Sequence, residues 1–370
     1  MKVLVTGGAG FIGSHTVDGL LSRGHSVRIL DSLEKPVHLK DKPDYLPEAA
    51  EFIQGDVRNR KDLERALEGI DIVFHFAAYQ DYLPDFAKFF QVNTVGTALI
   101  YELIVEKALP IKKVIVASSQ AVYGEGKYRC DKHGIFFPNI RSTEQLERGE
   151  WEINCPQCKK AGTPQITDEE IVNPQNQYAI SKYTQELIAL NLGRRYHIPT
   201  TALRYSIVQG PRQSFYNAYS GACRIFCLSA YFDRQPPIYE DGMQLRDYVN
   251  IEDVVRANLL VMEDARANYQ VFNVGGGKGY TVLEFAKVVA EVFGKQFTPR
   301  ITGEYRFGDT RHIISSIDKL KALGWELKNS VNKSVSDYLL WLKSQAVTED
   351  ILDYAEKKMK ELNVVRKTAG

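Results

Sequence analysis

The chain carries a tyrosine and a lysine four positions apart, in Tyr178-Ala179-Ile180-Ser181-Lys182. Residues i and i+4 share one face of a helix, so the phenol and the ammonium would stand side by side. A neighbouring ammonium favours phenolate and draws a tyrosine pKa down from about 10, which makes a usable general base. The same spacing also occurs on solvated helix faces, so the pair gains meaning only from its companions. One companion is the apolar run 114–117, which ends in the hydroxyls of Ser118 and Ser119. Another is Thr6-Gly7-Gly8-Ala9-Gly10-Phe11-Ile12-Gly13. Glycines at 7, 10 and 13 suit a tight turn, a pyrophosphate against the backbone and close helix packing, and the helix starting there would aim free N–H groups at phosphates. Asp31 closes the next strand-like run. A carboxylate there accepts adenosine ribose hydroxyls and repels a 2′-phosphate, so NAD is expected rather than NADP. The plainer role for Asp31 is to cap a turn.

These groups need a scaffold. Short β-branched runs at 2–6, 27–30, 51–53, 72–76 and 113–117 alternate with helical segments such as 11–23 and 60–67. That pattern predicts an α/β fold, a Rossmann-type doubly wound parallel sheet with helices on both faces. We expect an NAD-binding domain over 1–206, interrupted by an insert at 129–166. A smaller interleaved α/β domain for substrate should follow at 207–345, with 236–260 returning to the large sheet. Residues 346–370 read as a tail whose Leu352, Ala355, Met359 and Leu362 have helical spacing.

Charge and hydropathy remove several classes. Lys plus Arg number 47 against 46 Asp plus Glu, so the basic excess of a nucleic-acid surface is missing and no nucleic-acid partner is expected. No apolar run reaches membrane-spanning length, and the N-terminus opens on a strand rather than a signal peptide. A cytoplasmic, reducing location is expected, in which five cysteines would not form a disulfide framework.

Taken together, the motifs resemble the extended short-chain dehydrogenase/reductase family, specifically its nucleotide-sugar epimerases and dehydratases, over residues 1–345. The resemblance rests on the glycine turn, Gly55-Asp56-Val57, His75-Phe76-Ala77-Ala78, Asn93, Ser118-Ser119 and the Tyr178/Lys182 pair. It implies cofactor contacts from Gly7, Gly10, Phe11, Ile12, Gly13, Asp31, Asp56, Val57, Ala77, Ala78, Asn93, Tyr178 and Lys182. It further implies that Ser119 holds the reacting sugar oxygen and that Lys182 binds the nicotinamide ribose and tunes Tyr178. Arg246-Asp247-Tyr248-Val249-Asn250 and Arg306-Phe307-Gly308-Asp309-Thr310-Arg311-His312 resemble the family's late arginine segments. Arg246, Arg306 and Arg311 are therefore expected on the substrate diphosphate, unless a neighbouring acid claims them. Members of the family usually form homodimers through a four-helix bundle that includes the Tyr-x-x-x-Lys helix.

The dehydratases carry Thr-Asp-Glu where this chain has Ser119-Gln120-Ala121. A dehydration that relies on an acid–base pair there lacks it, and a redox-neutral 4-epimerase needs only Tyr, Ser, Lys and bound NAD. The segment 210–221 and the run Gly124-Glu125-Gly126-Lys127-Tyr128-Arg129-Cys130 look like the dTDP-L-rhamnose 4-epimerase-like branch. Ile207, Gln209 and Asn250 depart from the family's usual residues, which leaves a dTDP- or a UDP-linked sugar open. Decarboxylation or dehydration of a nucleotide sugar is the other enzymatic reading. A non-catalytic NAD-binding sensor or scaffold is the rival of a different class, and intact Ser119, Tyr178 and Lys182 favour the enzyme.

Within the insert, Cys130-x-x-His133 and Cys155-x-x-Cys158 have the spacing of two ligand pairs. A Cys3His set suits tetrahedral structural Zn²⁺, which would also stabilise a segment poor in core-forming residues. A loop with free thiols is the alternative. Cys223 and Cys227, at helical spacing among apolar neighbours, read as core.

Overall fold

The computed structural model describes residues 1–35, 37–38, 42–81, 83–216, 221–296, 300–347 and 350–369. Residues 217–220 of the 210–221 segment lie outside them. Seven β-branched, mostly buried runs form one sheet in the order Gln270–Val274, Thr200–Tyr205, Lys113–Ser119, Ile72–His75, Lys2–Thr6, Ser26–Asp31 and Glu51–Gln54. Every pairing in it is parallel. Parallel strands need crossover connections, and these place helices on both faces. The strand order reverses between Lys2–Thr6 and Ile72–His75, which opens a crevice at the carboxyl ends of the strands, where doubly wound folds bind ligands.

Each face of the sheet has its own apolar layer. On one face, helix Phe11–Ser22 packs against helix Ile251–Glu263, and a Cβ on Gly19 would lie 2.6 Å from Val255 Cγ1. On the other, helices Gly96–Glu106 and Gln177–Arg195 pack together over Val114, Val116 and Ala202. Asn176 starts the second of these, its Oδ1 accepting the Ala179 N–H at 2.8 Å. That cap fixes where the helix begins, and so where Tyr178 emerges.

The strand Leu245–Asn250 corrects one expectation. It pairs with Ile207–Gln209 and Gly279–Thr281 in a separate three-stranded sheet and does not join the large one. The elements that return are helix Ile251–Glu263 and strand Gln270–Val274. Asn250 itself caps that helix through the Glu252 N–H and donates to Ser334 Oγ at 3.0 Å, which gives this departure from the family pattern a structural role.

The insert forms a three-stranded antiparallel sheet of Lys127–Cys130, Gly134–Phe136 and Thr163–Gln165. In the tail, helix Asp350–Glu361 buries Ile351 and Met359. A strand, Val365–Lys367, follows it and pairs with Glu304–Arg306, which the sequence did not signal. Among the described residues no helix is long and apolar enough to cross a membrane.

Candidate active site

A cavity of about 540 Å³ lies at the crevice. Gly7, Gly10, Phe11, Ile12 and Gly13 line one end, with Asp31, Asp56, Val57, Ala77 and Ala78 beside them. Two of the turn's glycines have no room for a side chain: a Cβ on Gly7 would sit 2.6 Å from the Ala77 nitrogen, and one on Gly13 only 2.2 Å from the Gly7 oxygen. Gly7 also needs φ of +68°, which glycine adopts without strain. Gly10 precedes helix Phe11–Ser22 with no side-chain cap, so the first N–H groups face the cavity end with no side-chain acceptor. Asp31 does cap the turns around it. Its Oδ2 accepts the Ala9 N–H and its Oδ1 the Leu33 N–H, each at 2.9 Å, while the carboxylate borders the cavity.

Ser118 and Ser119 end their strand at the cavity wall, and Tyr178 and Lys182 face it from helix Gln177–Arg195. Lys182 Nζ donates to Gln185 Oε1 at 2.7 Å. Burial pulls the Lys182 pKa down to about 7. His75, fully buried between Thr6 and Thr97, is lowered to about 3 by burial and by the nearby Lys182 charge, so it stays neutral. Ser118 Oγ donates to Glu186 Oε2 at 2.9 Å. Glu186 in turn accepts from Arg204 Nε and Nη2 at 3.0 and 2.5 Å. This buried ion pair braces the strand end that presents Ser119. Sequence reasoning missed Glu186, although Tyr178, Lys182 and Glu186 follow the same i, i+4, i+8 face.

At the other end of the cavity stand Gln120, Ala121, Glu125, Ile207, Arg246, Arg306, Gly308, Asp309 and Thr310. Arg246 donates to the carbonyls of Leu245 and Arg311, and Arg306 pairs with Asp309 at 2.6 Å. Glu125 was not anticipated. Burial raises its pKa to about 7, against the opposing charge of Arg141.

Two expected binding residues do not line this cavity. Arg311 is fully buried, with its guanidinium donating to Glu152, Glu240 and Asp241 at 2.5–3.1 Å. A guanidinium has five N–H donors in a fixed fork, and these carboxylates occupy it, so Arg311 is an internal tie rather than a diphosphate ligand. Asn93 is also fully buried: its amide bonds both backbone groups of Tyr79 and donates to Ser181 Oγ. It holds the cleft wall from behind.

The four metal-ligand candidates converge. The donor atoms of Cys130, His133, Cys155 and Cys158 all lie within 4.8 Å of one another. Cys130 Sγ is 3.6 Å from both His133 Nδ1 and Cys158 Sγ, and Cys155 Sγ is 3.4 Å from His133 Nδ1. A tetrahedron with Zn–S of about 2.3 Å and Zn–N of about 2.0 Å has edges of about 3.5–3.8 Å. Backbone N–H groups of Cys158 and Gln157 help lower the Cys155 thiol to about 6. Cys223 and Cys227 are buried in the apolar core of the C-terminal lobe, as expected.

The model of the "NAD dependent epimerase/dehydratase family" matches residues 3–145 and 154–275. A dTDP-L-rhamnose 4-epimerase of Burkholderia thailandensis is 29% identical over 92% of this chain and 94% of its own. The crystal structure of a UDP-glucose 4-epimerase with UDP-glucose from Thermotoga maritima is 31% identical, with a TM-score of 0.76 over 93% of this chain and 99% of that one. A Thermus thermophilus UDP-glucose 4-epimerase complex with NAD gives 28% identity and a TM-score of 0.72 over 94% of this chain and all of that one (100%). On the family match, reinforced by these likenesses across nearly its whole length, the chain belongs to the NAD dependent epimerase/dehydratase family.

Proposed function

We propose that the protein is an NAD-dependent 4-epimerase of a UDP- or dTDP-linked sugar. The observation that carries this reading is one cavity bordered by Ser119, Tyr178 and Lys182, with the tightly packed glycine turn at one end and Gln120-Ala121 where dehydration would want acids. The residues fit a dinucleotide. The Gly7–Gly13 turn leaves backbone N–H groups for a pyrophosphate, and Asp31 stands where ribose hydroxyls would be held. Residues 1–206 would hold the dinucleotide and 207–345 most of the nucleotide sugar, with Arg246 and Arg306 on its diphosphate.

When bound, NAD accepts hydride from the sugar's C4 and returns it, so the reaction has no net redox change. Tyr178 takes the proton of the 4-hydroxyl and later gives it back. Ser119 holds the same oxygen through the change from alcohol to ketone. The Lys182 ammonium favours the Tyr178 phenolate and binds the ribose beside it. Inversion requires the 4-keto sugar to present its other face within the cavity while the two arginines keep the diphosphate anchored. Incubation with a panel of UDP- and dTDP-sugars should yield C4 epimers, and Tyr178→Phe should abolish them. Full activity in that variant would refute the assigned base.

The same reading assigns a structural Zn²⁺ to Cys130, His133, Cys155 and Cys158, supported by three donor separations of 3.4–3.6 Å, near the edges of a zinc tetrahedron. It also assigns a homodimer, supported by Ile180 and Leu187 exposed on helix Gln177–Arg195 beside helix Gly96–Glu106. It further assigns a cytoplasmic setting, in keeping with three thiolates placed to hold Zn²⁺ and two thiols in the apolar core.

A further inference from the structure

The insert does more than fill a surface. Its segment 151–155 is tied both within the insert, by Arg141, and to the substrate side of the molecule, by Arg311 and His312. Arg141 Nη1 donates to the Trp151 carbonyl at 3.0 Å. Glu152 Oε1 accepts from Arg311 Nε and Nη2 at 3.1 and 2.5 Å, and its Oε2 meets His312 Nε2 at 3.1 Å. Three residues later stands Cys155, one of the four clustered ligands. Between them, the Ile153 carbonyl accepts the Gly162 N–H at 2.8 Å, and the Cys155 N–H bonds the Lys160 carbonyl at 2.8 Å. The grip and the cluster therefore sit on one short, hydrogen-bonded piece of chain.

On the far side of that grip is the cavity wall. Arg141 Nη2 donates to the Asp309 carbonyl at 2.9 Å, and Asp309 pairs with Arg306 at 2.6 Å. The Arg311 N–H donates to Glu125 Oε2 at 2.6 Å, and Thr310 Oγ1 to the Gly124 carbonyl at 3.1 Å. Glu125, Ile140, Arg306, Gly308, Asp309 and Thr310 all border the cavity. Arg141 and Arg311 share Glu240, at 2.8–3.0 Å, so both arms meet in one buried ion cluster. Such a cluster is rigid while complete and costly when one member is removed, because a buried charge is left without its partner.

We propose that the insert is a metal-braced strut for the substrate wall. Zn²⁺ held by Cys130, His133, Cys155 and Cys158 fixes segment 151–155, and Glu152 and Arg141, acting as positioning residues, fix segment 306–312. Metal occupancy thereby sets how tightly the nucleoside diphosphate part of the substrate is held. Nothing in this arrangement touches the reacting sugar carbon, so the strut governs affinity rather than the chemical step. The inference rests on the Zn²⁺ and nucleotide-sugar readings above, and its test separates the three.

The experiment compares full-length wild type, wild type stripped of metal by a chelator, Glu152→Ala and Glu152→Gln. Each is read by metal analysis, by hydrogen exchange at residues 306–312 and 7–13, and by the Kd of UDP and of dTDP. Glu152→Ala should retain its Zn²⁺ yet exchange faster at 306–312, leave 7–13 unchanged, and weaken binding of the tighter-held of UDP and dTDP by about tenfold. Metal removal should produce the same pattern without any substitution. Glu152→Gln, which keeps acceptor oxygen but no charge, should fall between. With a turned-over sugar, Glu152→Ala should raise KM and leave kcat within about threefold, about 0.7 kcal/mol. Unchanged exchange at 306–312 and unchanged UDP and dTDP affinity in Glu152→Ala would overturn the strut. Wild type purified with reductant and without Zn²⁺ would overturn its metal brace. Absence of sugar turnover with both exchange and affinity shifts present would support the strut and instead refute the epimerase.

Discussion

Lys182 Nζ donates a 2.7 Å hydrogen bond to Gln185 Oε1, one turn along the same helix and fully out of water. An ammonium has three donors, so this bond leaves two and fixes their direction. Burial alone pushes Lys182 toward its neutral form, and the Gln185 oxygen opposes that push. Gln185 is thus a positioning residue for the lysine. Gln185→Leu should lower kcat by about tenfold, about 1.4 kcal/mol, with KM for the nucleotide sugar little changed. Gln185→Glu should recover the hydrogen bond, and steady-state kinetics on both variants would separate this role from simple packing. An unaltered kcat in Gln185→Leu would remove Gln185 from the account.

The depressed Lys182 pKa carries a sign that stability measurements can read. The folded-state value, about 7, lies below the ordinary lysine value of 10.5. Between those limits the unfolded chain binds more protons at this site, so stability from it rises with pH. Without added NAD, wild type should therefore gain stability relative to Lys182→Met as pH goes from 7 toward 10. Urea unfolding of both proteins at pH 6.5 and 9 checks the direction, and an opposite trend would mean that Lys182 is charged and paired in the folded chain.

Glu186 is predicted to matter for folding more than for chemistry. Its carboxylate faces Arg204 and Ser118 in a pair that is about 3% exposed on each side. Glu186→Ala strands the Arg204 charge and should cost about 3–5 kcal/mol. Denaturant midpoints would show it. A loss below 1 kcal/mol would mean that water enters behind Ser118.

Much of this architecture was legible because it is local. The 6–13 turn, the strand before it and the helix after it are set by neighbouring residues, and the 60–67 helix matched its element end to end. Asn59 caps that helix directly, accepting from the Lys61 and Asp62 N–H groups. Tyr178 and Lys182 stand out through helical spacing read together with the glycine turn and Ser119. What the sequence could not reveal are partnerships across long separations. Arg311 sits in a motif that suits a phosphate ligand, yet its partners Glu152 and Glu240 are 159 and 71 positions away. Leu245–Asn250 reads as a strand, but its pairing with Ile207–Gln209 depends on tertiary folding. The short Val365–Lys367 strand carries too little periodicity to separate from the end of a helical tail.

The glycine turn offers a cofactor test that leaves the sugar site alone. A Cβ at Gly13 would lie 2.2 Å from the Gly7 oxygen, so the turn must distort. Gly13→Ala should weaken NAD binding by at least about tenfold, 1.4 kcal/mol, while metal content stays the same. Calorimetric titration with NAD would decide it, and wild-type affinity would mean that the pyrophosphate does not rest on this turn.

Inversion at C4 by Tyr178, Ser119 and Lys182 should return the substrate's own hydrogen to the same carbon. The most direct measurement uses UDP- and dTDP-hexoses deuterated at C4, incubated in ordinary water and resolved as C4 epimers by NMR. The expected product is an epimer that keeps its deuterium at C4, formed by wild type and not by Tyr178→Phe. An epimer that has lost the label to solvent, or no C4 epimer from any of these sugars while NAD is bound, would contradict it.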